Sequence, residues 1–278
     1  MRKTIVMLLI CASLFLLAGC ESGVASKEPI TEKVENMEYT IRIKGWDSTG
    51  LALEEFEQEG TYTGEVKDGV PNGVGQFDDK NDKGEVWHYQ GEFVDGVFQG
   101  QGKSFSYEDD TIIEEGTYED GAFTPTLSEF VATVPQMSLN DFVLSETSAK
   151  FIDSHENLFP CKTEEDVDQA ISLTDKSIEY AKLAKNTAPY LDKFFALSSL
   201  IAEQVFEYNA YGYTYTTILA RDSNFNYYMF YYNGSVDIYE GDAVNFRGIP
   251  LAYSNFDNVS NGQTLVVVAL GSIIEKVG

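Results

Sequence analysis

The chain has 278 residues and a formal net charge of −26, with 45 acidic against 19 basic side chains. So acidic a surface repels nucleic acid and anionic lipid headgroups, and favours solubility and cationic partners. Neither histidine, His88 nor His155, has a second histidine or cysteine at metal spacing, which argues against a zinc site, while 43% hydrophobic residues are enough for one or two packed cores.

At the start, Arg2 and Lys3 precede an apolar run from Ile5 to Leu17. At 13 residues the run is too short to cross a bilayer, which takes about 20, and it reads as a secretory signal over residues 1–19. It ends in Leu17-Ala18-Gly19-Cys20, which resembles the lipobox of bacterial lipoproteins. The resemblance implies cleavage before Cys20 and lipid attachment to its thiol, and so an anchor on the extracytoplasmic face of the cell membrane. Acyl chains hold by about 0.8 kcal/mol per buried CH₂. With Cys11 lost in the leader and Cys20 carrying lipid, Cys161 has no partner for an intramolecular disulfide; it is expected as a small buried apolar residue. Residues 20–37 are polar and aperiodic and read as a flexible tether.

Residues 38–127 carry a repeat. Tyr39, Ile41 and Ile43 alternate with polar residues and predict a leading strand. Then comes Tyr62-x-Gly64-Glu65-Val66-x-x-Gly69-x-x-x-Gly73-x-Gly75-x-Phe77, followed by Tyr89-x-Gly91-Glu92-Phe93-x-x-Gly96-x-x-x-Gly100-x-Gly102. A third copy opens at Gly116 and Gly121 and breaks off at Pro125. Alternate placement of Tyr62, Gly64 and Val66 is the two-residue period of a strand. The glycines are expected to be structural, at turns or close backbone contacts, and to bind nothing themselves. These runs resemble MORN repeats, which implies stacked antiparallel hairpins in a family used for scaffolding and attachment. Gly64 to Gly91 spans 27 residues and Gly91 to Gly116 spans 25. Both exceed the usual unit by an even number, so the same side chains keep facing inward. The extra residues fall in Asp78–Glu85 and Glu108–Thr111, which read as loops. Ser104 stands where the second copy calls for an aromatic, with Phe105 one place late, which marks a bulge.

Residues 128–188 read as a helical connector. Ser145 is placed to cap a helix carrying Ala149, Phe151 and Ile152, and Thr163 with Asp166 forms a capping pair. Val167, Ala170, Ile171, Ile178, Ala181 and Leu183 give a helical stripe. Over 189–278 five runs alternate or are apolar: Phe195–Phe206, Tyr213–Arg221, Asn226–Tyr232, Ala243–Tyr253 and Thr264–Ile274. Asn233-Gly234 and Ser260-Asn261-Gly262 are among the turns between them. Five strands in so short a span predict a small barrel. Ile238-x-Glu240-Gly241-Asp242-x-Val244-x-Phe246-x-Gly248, followed by Gly262-Gln263-Thr264, resembles the later strands of OB-fold domains in exported bacterial proteins. In that resemblance the helix between the third and fourth strands is reduced to Ser235–Tyr239. The fold class is therefore mainly β: stacked hairpins, a helical connector and an OB-like barrel.

Candidate chemistry is sparse. Asp79, Asn81, Asp82 and Gly84 have the look of a calcium loop, but Lys83 falls where the fifth-position oxygen ligand belongs, so a hairpin loop is the reading and no metal is expected. No phosphate loop and no nucleophile elbow is present, and no cofactor or catalytic residue is assigned. Tyrosines crowd the first three barrel strands, and Tyr215, Tyr227 and Tyr231 are the candidate ligand face, against the alternative of packing. The function read from this is a lipid-anchored extracytoplasmic binding or scaffold protein recognising a protein or envelope component without catalysis. The alternatives are a glycan- or peptidoglycan-acting hydrolase using acidic residues and an oligosaccharide-binding module. No nucleic-acid partner is expected, since residues 189–278 hold four basic against nine acidic side chains.

Overall fold

The computed structural model describes residues 31–80, 86–106, 108–138, 141–257 and 262–277. Seven strands, β1 (Thr31–Trp46), β2 (Leu53–Lys67), β3 (Val70–Lys80), β4 (Val86–Val94), β5 (Val97–Phe105), β6 (Ile112–Glu119) and β7 (Ala122–Phe123), form one antiparallel sheet in sequence order. The tight turns are Asp68-Gly69, Asp95-Gly96 and Asp120-Gly121, with positive φ at both residues of each. That is the type I′ pattern, whose twist matches the strands it joins and which Asp-Gly pairs adopt readily. Tyr62, Phe77, Tyr89, Phe93, Phe98 and Tyr118 point inward and are buried. Their rings interlock: Tyr89 stacks on Phe98 at 3.8 Å and meets Tyr118 edge-on at 4.8 Å, while Tyr62 meets Phe93 at 4.9 Å. Gly102 is required by this packing and not by its backbone, since a Cβ there would lie 2.4 Å from Cε2 of Tyr89.

Two expectations need correction and one irregularity is found where the sequence placed it. β1 begins at Thr31, inside the stretch expected to be a tether, because Thr31–Val34 pair with Gly64–Lys67. Asp78 and Asp79 are strand and not loop, paired across to His88 and Trp87. The β5–β6 register shifts between Ser104 and Phe105, the bulge marked by the misplaced aromatic.

The sheet curls until the far end of β1 reaches the β6–β7 turn. Lys44 N donates to Gly121 O at 3.1 Å, and Trp46 Nε1 donates to Phe123 O at 2.8 Å. Arg42 and Lys44 both pair with Asp120.

Four helices follow: α1 (Leu127–Met137), α2 (Glu146–Ser154), α3 (Glu164–Ser172) and α4 (Tyr180–Lys185). Ser145 and Thr163 cap α2 and α3 as expected. The stripe from Val167 to Leu183 is divided between two helices, because Asp175 N is drawn to Phe194 O at 2.8 Å and the chain turns there. The sequence reading placed no helix start at α1, although Thr126 and Glu129 form a complete capping box.

Strands β8 (Phe195–Ala210), β9 (Tyr213–Arg221), β10 (Tyr227–Asn233), β11 (Ala243–Asp257) and β12 (Gln263–Lys276) close a barrel in the order β10-β12-β11-β8-β9. β10 and β12 are parallel; the other pairs are antiparallel. Phe195, Ile218, Tyr228, Phe230, Phe246 and Val267 fill the interior. The opposite faces of β9, β10 and β12 are covered by the helices, where Tyr215, Leu219 and Tyr231 join Phe130, Phe142 and Ile152 in one core. Both faces of β10 are thus aromatic because both are buried. Ser235–Tyr239 is irregular and not a reduced helix; Ile238 turns into the barrel interior instead. The fourth barrel strand, β11, shifts register at Gly248, where a Cβ would lie 2.0 Å from Leu270 O.

Candidate functional site

A cavity of about 510 Å³ forms a groove between the C-terminal end of α1 and the outer face of β8, β9 and β10. Its floor is Tyr215, Leu219, Met229 and Tyr231, and its open wall is Phe206 and Tyr208. Alternation places Phe206 and Tyr208 on the same face of β8, where they are half exposed, whereas Tyr215 and Tyr231 are almost fully covered. Tyr208 and Tyr215 stack at 5.6 Å. Tyr231 donates its hydroxyl to Ser138 Oγ at 2.9 Å, tying the groove floor to the end of α1. Burial pushes the Tyr215 and Tyr231 hydroxyls up to about 12, so both stay neutral donors at physiological pH. Gln136, Ser138, Gln204 and Thr217 supply polar groups of the lining, which among the described residues contains no carboxylate and no base. Apolar rings with a few uncharged hydrogen-bonding groups suit a neutral ligand.

A second cavity, of about 290 Å³, opens on the inner face of the hairpin sheet. Trp46, Phe56, Trp87, Phe98, Tyr118 and Phe123 line it with Gln58, Asp79 and Glu114. Glu114 Oε2 accepts from Ser104 Oγ at 2.9 Å and from Tyr118 Oη at 3.1 Å, and Tyr211 reaches it from the barrel side. Burial raises the Glu114 carboxyl above its ordinary value against these hydrogen bonds, which lower it. Asp79 is buried and accepts from Gln58 Nε2 at 2.6 Å. Asp79 is thus a buried strand residue of β3, paired across to Trp87.

The remaining predicted residues are dispersed. Of the three candidate tyrosines, Tyr215 and Tyr231 meet in the groove; Tyr227 does not line it and packs on the core beneath the helices. Phe206 and Tyr208 are the groove's most exposed rings, and without a start for α1 inside the expected helical connector the groove itself was not legible. Gly64, Gly69, Gly73, Gly96 and Gly100 have positive φ, while Gly75, Gly91 and Gly102 face a tyrosine ring. Cys20 and most of the Asp79–Gly84 stretch lie outside the described residues. Cys161 Sγ lies 3.1 Å from Ser272 Oγ, and burial raises its pKa, which disfavours the thiolate a nucleophile needs. His88 stacks on Phe105 and His155 on Phe151, in separate parts of the chain.

The MORN repeat family matches residues 62–82 and 89–106, the two hairpins whose rings interlock around Tyr89. No curated protein and no solved structure matches the chain.

Proposed function

We propose that this is a lipid-anchored binding protein of the extracytoplasmic face, held by lipid on Cys20, whose barrel groove takes up an uncharged segment of a protein or envelope component. The observation that carries the reading is the groove itself, with exposed rings on β8 over a floor of buried tyrosines and no charge among its lining residues. Rings of this kind give contact area at little entropic cost, and amides such as Gln136 and Gln204 select orientation. The hairpin repeats supply a rigid, ring-locked support, consistent with a scaffold role. An OB-like reading of the barrel is supported by its closed strand order and by the parallel β10–β12 pair. The acidic balance of the barrel weighs against nucleic acid.

A neutral oligosaccharide is the second reading, favoured by the adjacent exposed rings of Phe206 and Tyr208, 6.2 Å apart. A hydrolase draws less support, because the groove has no acid, and Asp79 and Glu114 in the other cavity both accept hydrogen bonds from its walls. The test is affinity co-purification from the native envelope with the parent and a Phe206→Ser/Tyr208→Ser variant, whose substitutions touch exposed rings. Loss of a specific co-purifying component in the variant supports the proposal. An unchanged set of components contradicts it.

A further inference from the structure

We propose that the cavity on the inner face of the hairpin sheet binds a small organic cation, an alkylated ammonium group, between Glu114 and the rings of Trp46, Phe56 and Trp87. The repeat register breaks at this cavity. The residue two before the leading glycine is Tyr62 in the first copy and Tyr89 in the second, but Glu114 in the third. Tyr62 is paired across the ladder to Phe77, whereas Tyr89 is paired to Ser104, and Ser104 to Glu114. Where the ladder would continue to stack rings, two adjacent inward positions are polar and bonded to each other. This opens the core at that point into a cavity with a carboxyl in its wall.

The chemistry of the lining favours a cation. The described hydrogen-bond partners of Glu114 are neutral hydroxyls, from Ser104, Tyr118 and Tyr211. Lys44, the base in the same lining, has its Nζ on Asp120 at the sheet seam. Trp46 spends its indole N–H on Phe123 O and so offers the cavity a ring face and not a donor. Phe56 is half exposed, at the mouth. Electron-rich ring faces attract a cation most strongly when water is excluded, and a cation beside Glu114 would favour its ionised form against the burial that opposes it. An anion would find the lining's base, Lys44, already on Asp120. A sugar would find few free donors, with Gln58 already committed to Asp79. A volume of about 290 Å³ is near the lower end of small-ligand pockets, about 300–1,000 Å³. The negative field of the whole chain raises the local concentration of cations.

The two tryptophans of the chain, Trp46 and Trp87, both line this cavity, so intrinsic tryptophan fluorescence reports on it alone. The experiment titrates the purified protein with choline and, separately, with its uncharged isostere 3,3-dimethylbutanol. A saturable fluorescence change with choline, at least tenfold tighter than with the isostere, supports the proposal. Glu114→Gln should weaken choline about tenfold while leaving circular dichroism close to the parent. Equal affinity for the two compounds overturns the proposal, as does the lack of any saturable response to choline. The comparison of the two compounds on the parent protein needs no variant to fold.

Discussion

Replacing Gly102 by alanine separates two reasons for glycine that the repeat otherwise confounds. Gly102 does not have positive φ, so alanine meets no backbone penalty and reduces the freedom of the unfolded chain, a gain of about 0.4–1 kcal/mol. The added Cβ, however, would lie 2.2 Å from Oη and 2.5 Å from Cζ of Tyr89. That ring cannot withdraw, since it is fully buried, stacked on Phe98 at 3.8 Å and flanked edge-on by Phe93 and Tyr118. Overpacking of this kind costs about 1–3 kcal/mol. Displacing the ring also breaks the Tyr89 hydroxyl bond to Glu92 O, 3.1 Å long, for about 1 kcal/mol more. The net expectation is a loss of about 2–3 kcal/mol, or roughly 5–10 °C in Tm. Gly69 is the opposite case: a Cβ meets nothing within 4 Å, and only its φ of +82° opposes alanine, at about 1 kcal/mol. Thermal and urea unfolding of both variants measure the difference. A Gly102→Ala protein as stable as the parent, or more stable than Gly69→Ala, would refute the ring-packing argument.

Other outcomes are expected on the same grounds. Because burial raises the Glu114 pKa from 4.5, its contribution to stability is fully present below that value and is lost as pH rises through the folded one. Glu114→Gln should therefore gain stability relative to the parent as pH is raised from 5 to 8, and urea midpoints that stay parallel over that range would show the raised pKa to be wrong. Cys20→Ser should release the protein from the membrane or leave its leader uncut, which cell fractionation and intact mass will report; a processed, membrane-held variant contradicts lipid attachment. Chelation by EDTA should leave the melting temperature unchanged, and a shift of several degrees would restore the calcium reading of Asp79–Glu85.

Much of the hairpin sheet is legible because its signals are local. Asp-Gly pairs dictate tight turns, the alternation of Tyr62, Gly64 and Val66 dictates a face, and the even surplus between copies preserves it. The barrel strands are legible for the same reason. What local pattern could not supply was the curl that brings Lys44 to Gly121 and Trp46 to Phe123, because that contact joins residues far apart in the chain. Without the curl the second cavity has no wall. The groove was hidden by α1: its start is signalled by Thr126-x-x-Glu129, but the helical connector expected over 128–188 carried no boundary for it. The crowded tyrosines were ambiguous for a physical reason: β10 is buried on both faces, so alternation had no solvent side to reveal.

The claim that most needs a direct measurement is that the barrel groove is a recognition surface. A photo-cross-linking amino acid placed at Phe206, in intact cells, would sample what occupies it, and the same residue at Val74, exposed on the hairpin sheet, would sample the surroundings. The account predicts a discrete adduct at Phe206 that is absent at Val74 and lost when Tyr208 is replaced by serine. Identical adducts at both positions, or none at Phe206, would contradict it.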